Sequence, residues 1–384
     1  MGEKVLIISQ YFTPDITAAA YRIRSIYDIL RDKYEVTVVT TTPHKSEVNE
    51  VEFDPKIHRI TIKSKKNSLQ YVEFIIKAKK IIKRFKKDYF DYIFVSSPPI
   101  SVFYLTKFFD ERVKIITDIR DLWPDSIVDA GKIKENSLVF KMLHNYEKRI
   151  YSKSSYLTCV SKNMKEEIHK RSGKVPLVIY NGFYQKDFFY FDKMSPRLWN
   201  NTQKLKICYF GNIGFAQFLN PLLELSYDKE MMKKIEIHII GNGQFLESYK
   251  KNYPDIFFHS PLDREYLLDF VFNNYDALFL NLKKSKTFEK TIPSKLFDYL
   301  LLKKPIISGI KGEGKEILDS FGNVIHFEQD STESLKKATI KLIENYEKLL
   351  HNIQNNYTKL KLFCRENNNK KIVDIVDGKY ETTE

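Results

Sequence analysis

Residues 291–307, TIPSKLFDYLLLKKPII, read as a short loop, a helix and a buried strand. Pro293 suits a helix first turn, where its missing N–H is no loss, and Ser294 can cap the free amides. Leu296, Phe297, Leu300 and Leu301 recur at helical spacing and make one apolar face. Lys303 and Lys304 fall at the C-terminus, where the helix dipole favours cations, and Pro305 ends the helix. Two features go beyond packing. Ser294 and Lys295 bring amides, a hydroxyl and an ammonium to one exposed helix start, an arrangement that binds phosphate. Asp298, one turn on, carries a carboxylate to where it can accept from a sugar hydroxyl. Alone, the stretch reads more simply as a capped amphipathic helix with solvated charges; the surrounding chain decides.

Outward from it, strand and helix alternate along most of the chain. KVLIIS (4–9) is an apolar run of strand length, followed by a loop, a helical pattern to about Leu30 and the strand YEVTVVT (34–40). This β-α-β unit predicts a doubly wound α/β sheet with ligands at the carboxyl ends of its strands. The loop there, around Thr17, Ala18 and Tyr21, lacks the glycine fingerprint of a dinucleotide site. Residues 51–63 predict another strand and turn, and residues 184–203 interrupt the alternation with an aromatic stretch expected to lie between domains. It resumes with LKICYF (205–210) and GNIG, then a strand over 235–240 running into Gly241-Asn242-Gly243. Residues 331–356 predict one long helix, and the tail after ENNNKK one last apolar turn. The division is therefore 1–183, a connection over 184–203, a second domain over 204–362, and a tail over 363–384 that can return to the first domain. Two such halves imply a cleft, a favoured ligand site.

Composition narrows the partners. The 384 residues carry a net charge of +14, which attracts nucleic acid, anionic membrane or phosphorylated ligands. The 3 cysteines, Cys159, Cys208 and Cys364, form no metal-ligand spacing, and a reduced compartment is expected. No apolar run reaches spanning length and the N-terminus does not read as a signal peptide, so a soluble or peripheral protein is expected. The basic residues cluster over 68–90, predicted as one helix with Val72, Ile75, Ile76, Ile82 and Phe85 inward. Its outer face holds Lys79, Lys80, Lys83, Arg84 and Lys87, either a solvated surface or a contact for anionic lipid. At another strand end, DIRDLWPDS (118–126) crowds Asp118, Arg120 and Asp121 together. They can act on a substrate hydroxyl or brace the loop; a carboxylate base would need its pKa lifted by burial.

The motifs DLWPDS, FGNIG with Gln217, and PSKLFDY together resemble the retaining family 4 glycosyltransferases of GT-B type. The chain is most similar to the bacterial surface-polysaccharide transferases related to the N-acetyl-fucosaminyltransferases. The resemblance implies two Rossmann-like domains facing across a cleft, with the donor on the second. Gly211, Asn212, Gly214, Ser294 and Lys295 would meet the donor diphosphate, with backbone amides of the 212–214 loop sharing the charge. Asp298 would meet the ribose, with Gly241 and Gly243 beside the nucleotide, and Glu289 and Lys290 would face the donor sugar. Three departures stand out, the first being Asp298 where the family places a glutamate. Lys290 occupies the position of the family's first glutamate, and Phe215-Ala216-Gln217 replaces its basic pair. Asp121 and Arg120 would serve the acceptor, with Thr17, Ala18 and Tyr21 on the acceptor loop.

The implied chemistry is front-face transfer with retention, the leaving diphosphate stabilised electrostatically, without a metal or other cofactor. A UDP-linked hexosamine or deoxyhexosamine donor and a lipid-linked or glycan acceptor follow from the same resemblance. So does a place on the cytoplasmic face of the cell membrane. The alternatives are a catalytically impaired scaffold, a sugar-nucleotide epimerase of the same fold, and a nucleic-acid binder. The last is disfavoured because the basic residues lack aromatic interleaving.

Overall fold

The computed structural model describes residues 2–43, 54–64 and 66–380. They form two compact units, Met1–Asn181 with Arg365–Glu384, and Gly182–Cys364.

The first unit holds a parallel sheet of β1 (Lys4–Ile8), β2 (Glu35–Thr41), β3 (Ile57–Ile60), β4 (Tyr92–Ser97), β5 (Lys114–Ile119), β6 (Tyr156–Cys159) and β7 (Leu177–Val178). Their order is β3-β2-β1-β4-β5-β6-β7. The chain winds outward from β1 to β3, returns, and winds the other way from β4. β1 therefore pairs with both β2 and β4. The period of two along β1 serves both faces: Val5 and Ile7 enter one core, Leu6 and Ile8 the other. The helix Ala18–Arg31 covers the first face through Ile23, Ile26 and Leu30. The helix Asn67–Ile82 covers the second through Phe74, Ala78 and Ile82. Each fully buried aliphatic side chain is worth about 1.5–3 kcal/mol.

The tail corrects the sequence expectation. It is a full helix, Arg365–Val376, rather than one turn, and it packs on the first core through Ile372, Ile375 and Val376. Asn369 is buried and donates to the Ser25 hydroxyl at 3.0 Å. Asparagine is a poor helix former; here tertiary packing outweighs propensity.

The second unit repeats the design with β8 (Leu205–Phe210), β9 (Ile235–Ile240), β10 (Phe257–His259), β11 (Ala277–Leu280), β12 (Ile306–Ser308) and β13 (Val324–His326). Their order is β10-β9-β8-β11-β12-β13, all parallel, with the reversal between β8 and β11. The aromatic stretch expected between domains packs inside this unit. It forms the helix Gln185–Asp192, whose Phe188 stacks on Tyr357 and whose Phe191 meets Phe272. The long helix expected over 331–356 is two, Thr332–Glu344 and Tyr346–Asn356, broken at Asn345.

Candidate active site

In the second unit the carboxyl ends of the strands gather most of the donor residues predicted from sequence. After β8 the chain turns through Gly211 at φ +123°, and after β9 through Gly241 at φ +145°. The two loops lie backbone on backbone. Gly211 N–H donates to the Ile240 carbonyl at 2.8 Å, and Ile213 N–H to Asn242 at 2.9 Å. A Cβ on Gly241 would stand 2.0 Å from the Gly211 carbonyl oxygen, and one on Gly243 2.2 Å from that of Ile213. These glycines are thus required by close approach of the loops, a packing reason beside the expected nucleotide contact. Because the Ile213 amide is committed to Asn242, it is not among the amides available for a diphosphate.

Lys295 reaches into this loop. Its ammonium donates to the Tyr209 hydroxyl at 2.5 Å and lies 4.4 Å from that ring's centre. The buried Tyr209 hydroxyl in turn donates to the Asn212 carbonyl at 2.5 Å. Lys295 is half-buried, not exposed as expected. Burial brings its pKa down to about 7, against a smaller upward pull from Asp298. A desolvated, half-charged ammonium is poised for an anion. The helix that carries it is short, Lys295–Leu301. Ser294 makes no capping hydrogen bond, because its φ of −56° and ψ of −30° are already helical.

Asp298 is engaged within the fold. Its Oδ1 accepts from Arg264 at 2.6 Å, and Arg264 also donates to Asp187 at 2.6 Å. Arg264 was not singled out by sequence, since it meets Asp298 only through the fold. Glu289 and Lys290 sit half-buried on the single turn Phe288–Lys290, in the loop between β11 and the Lys295 helix. Asn212 donates to the Gln217 side chain at 3.2 Å.

In the first unit, Asp118 is fully buried and holds structure. It accepts from Arg22 at 2.7 and 3.0 Å, from Thr158 at 2.8 Å and from Ser96 at 3.2 Å. Burial pushes its pKa up, but Arg22, Arg120 and the Thr158 hydrogen bond together outweigh this and the carboxyl lies below its ordinary value. Arg120, 3.9 Å from Asp118, donates to the Ser96 hydroxyl and the Pro98 carbonyl. Asp121 differs. It lines a narrow crevice with Ser97, Phe103, Trp123 and Glu147. Burial lifts its pKa to about 6, against the pull of the Ser126 hydrogen bond. Asp121 and Arg120 therefore sit together at the end of β5, with different surroundings. Gln10 is fully buried just past β1, and among the described residues neither of its side-chain amide atoms has a hydrogen-bond partner.

On the expected acceptor loop, Thr17 caps the helix Ala18–Arg31, accepting from Ala20 N–H at 3.2 Å. Ala18 is exposed and Tyr21 half-buried at that helix start. The basic helix ends at Ile82 instead of running to residue 90, so Lys83, Arg84 and Lys87 follow it on an exposed turn. Val72 and Ile76, expected inside, are each 56% exposed; Phe74 and Ala78 take the inward positions. Lys80 is exposed, and Lys79 is half-buried with its ammonium 5.3 Å from the Phe108 ring centre. Among the described residues no helix is long and apolar enough to cross a membrane, and no group of His, Cys, Asp or Glu is placed to hold a metal ion.

Residues 22–184 match the family described as Glycosyltransferase Family 4. The chain is 24% identical over 212 residues to a probable glycosyltransferase, WbjE, of Pseudomonas aeruginosa, covering 52% of this chain and 51% of that protein. It is 25% identical over 256 residues to the uncharacterized glycosyltransferase MJ1069 of Methanocaldococcus jannaschii, covering 62% of each. The chain thus spans between half and two thirds of these curated relatives. Among solved structures it resembles sucrose-phosphate synthase from Thermosynechococcus elongatus, with a TM-score of 0.70 at 11% identity over 98% of both chains. It also resembles Anabaena Alr3699/HepE in complex with UDP and glucose, with a TM-score of 0.65 at 13% identity over 98% of this chain and 100% of that one. The fold is the GT-B fold of these glycosyltransferases, two Rossmann-like parallel-sheet units.

Proposed function

We propose that this chain is a retaining, metal-independent glycosyltransferase that moves a sugar from a UDP-linked donor to a lipid-linked or glycan acceptor of surface polysaccharide. The observation that carries the reading is the Lys295 ammonium seated beside Gly211, at the carboxyl ends of β8 and β11 where the sheet order reverses. The UDP held by the Anabaena protein supports the choice of base. In the proposed reaction the C–O bond from the sugar's anomeric carbon to the diphosphate breaks. The acceptor oxygen bonds to that carbon from the same face and passes its proton to the departing diphosphate oxygen. Lys295 stabilises the diphosphate as its charge develops, the kind of contribution that is usually the largest single catalytic one. Asp121, with its raised pKa, is the proposed acceptor-side hydrogen-bond partner, and Arg120 its positioning neighbour. The donor sugar is proposed to be an N-acetylated hexosamine or deoxyhexosamine. The basic turn after the Asn67–Ile82 helix is proposed to rest on the anionic inner face of the cell membrane.

A second reading is a scaffold that binds nucleotide without turnover. It is favoured by Lys290 in place of a glutamate and by Asp298 being held by Arg264. Calorimetric titration with UDP, GDP and TDP, without added metal, followed by a UDP-release assay with candidate donors, separates the two. Micromolar binding of one nucleotide with turnover supports the transferase. Binding without turnover of any donor supports the scaffold. No binding by the folded protein overturns both.

A further inference from the structure

We infer that Lys283 is a second cation for the donor diphosphate, taking the place of the basic pair that Phe215-Ala216-Gln217 displaces. This rests on the proposed nucleotide-sugar reading and deepens it. Lys283 follows β11, remote in sequence from the loop after β8, yet the fold ties the two segments together. Lys283 N–H donates to the Ala216 carbonyl at 2.8 Å, and the buried Asn281 donates its amide to the Phe218 carbonyl at 3.0 Å. These bonds fix the Lys283 backbone relative to the 211–218 loop. Its ammonium lies 3.7 Å from the centre of the Phe215 ring, and the residue is half-exposed.

An aromatic face orients an ammonium without neutralising it, and at exposed sites the contact is weak. The neighbouring Lys284 has a carboxylate, Asp330, at 4.0 Å. Among the described residues Lys283 has no such partner. The loop is thus bracketed by two ammonium groups, Lys295 against Gly211 at its start and Lys283 over Phe215 at its end. Diphosphate oxygens lying along the loop would meet a cation at each end. That is the electrostatic task for which the 211–218 loop itself carries no basic side chain.

The test is titration of wild type, Lys283→Ala and Lys283→Arg with UDP and with uridine, which lacks the phosphates. The expected result is about tenfold or greater weakening of UDP binding in Lys283→Ala. Recovery in Lys283→Arg and unchanged uridine binding are expected with it. Wild-type UDP binding with no loss in Lys283→Ala overturns this inference and leaves the donor-site reading standing. Equal losses for UDP and uridine also overturn it, since they point to the base or to loop structure. Absence of nucleotide binding in the wild type overturns the donor-site reading itself. Thermal melts of both variants, expected to match wild type, show that the loop is intact.

Discussion

Lys295 fills the space that a side chain on Gly211 would need. A Cβ there would stand 2.3 Å from the lysine Cε and 2.8 Å from its Nζ. Gly241 shows a different constraint, because a Cβ there would strike the Gly211 carbonyl oxygen at 2.0 Å. A side chain can move aside and a backbone cannot. Gly241→Ala is therefore expected to cost about 2–4 kcal/mol of stability and Gly211→Ala about 1–2 kcal/mol. Gly211→Ala, by displacing the ammonium, should weaken UDP binding more than its stability loss suggests. Denaturant midpoints and calorimetric titrations on both variants check the ordering.

Lys295 itself should report through pH. With a native value of about 7, against an ordinary lysine value of 10.5, the folded protein binds fewer protons than the unfolded chain between these limits. Stability from this group therefore rises as pH increases through that window, and Lys295→Met should flatten the rise. On the proposed reading UDP would select the charged form, so its affinity should fall as pH climbs above about 7. Lys295→Met should bind UDP at least about tenfold more weakly and lose that pH dependence. Melting temperatures and titrations from pH 6 to 9 are the measurement.

Asp121 carries the opposite sign. Its pKa is raised from 3.8 to about 6, so the folded state holds more protons in that interval. Its contribution to stability is present at low pH and is lost as pH rises through about 6. Asp121→Asn should therefore raise the melting temperature at pH 7.5 while lowering turnover about 100-fold. An unchanged turnover would leave Asp121 outside the chemistry.

Arg22 and Asp118 make a prediction about stability alone. Each is almost wholly shielded from solvent, at 2% and 0% exposure, and they meet through two hydrogen bonds. Arg22→Ala would strand a buried carboxylate and should cost about 3–5 kcal/mol. Arg22→Lys keeps the charge but loses the paired geometry, so it should recover only part. Urea unfolding of the two variants is the check.

For the membrane reading, reversing Lys80, Lys83, Arg84 and Lys87 to glutamate should abolish co-sedimentation with anionic vesicles, each basic group contributing about 1 kcal/mol. Replacing the exposed Val72 and Ile76 by serine should weaken the binding that survives raised salt. A wild-type protein that ignores such vesicles at low salt ends this reading.

The strand–helix alternation was legible in the sequence because buried parallel strands demand unbroken apolar runs and surface helices demand an apolar stripe. Those are local patterns, as KVLIIS and LFDYLLL illustrate. The extent of the tail helix and the helix over residues 185–192 were not legible in the sequence, since their order comes from distant partners such as Ser25 and Tyr357. In the candidate site, Gly211, Gly241 and Lys295 could be named from motif and resemblance. Only the tertiary structure decided that Lys295 is sheltered by Tyr209, that Asp298 is held by Arg264, and that Lys283 lies over Phe215. Sequence patterns encode which face of an element is buried. The charge state and partners of a side chain depend on groups 34 and 86 residues away, which the fold alone brings within hydrogen-bond distance.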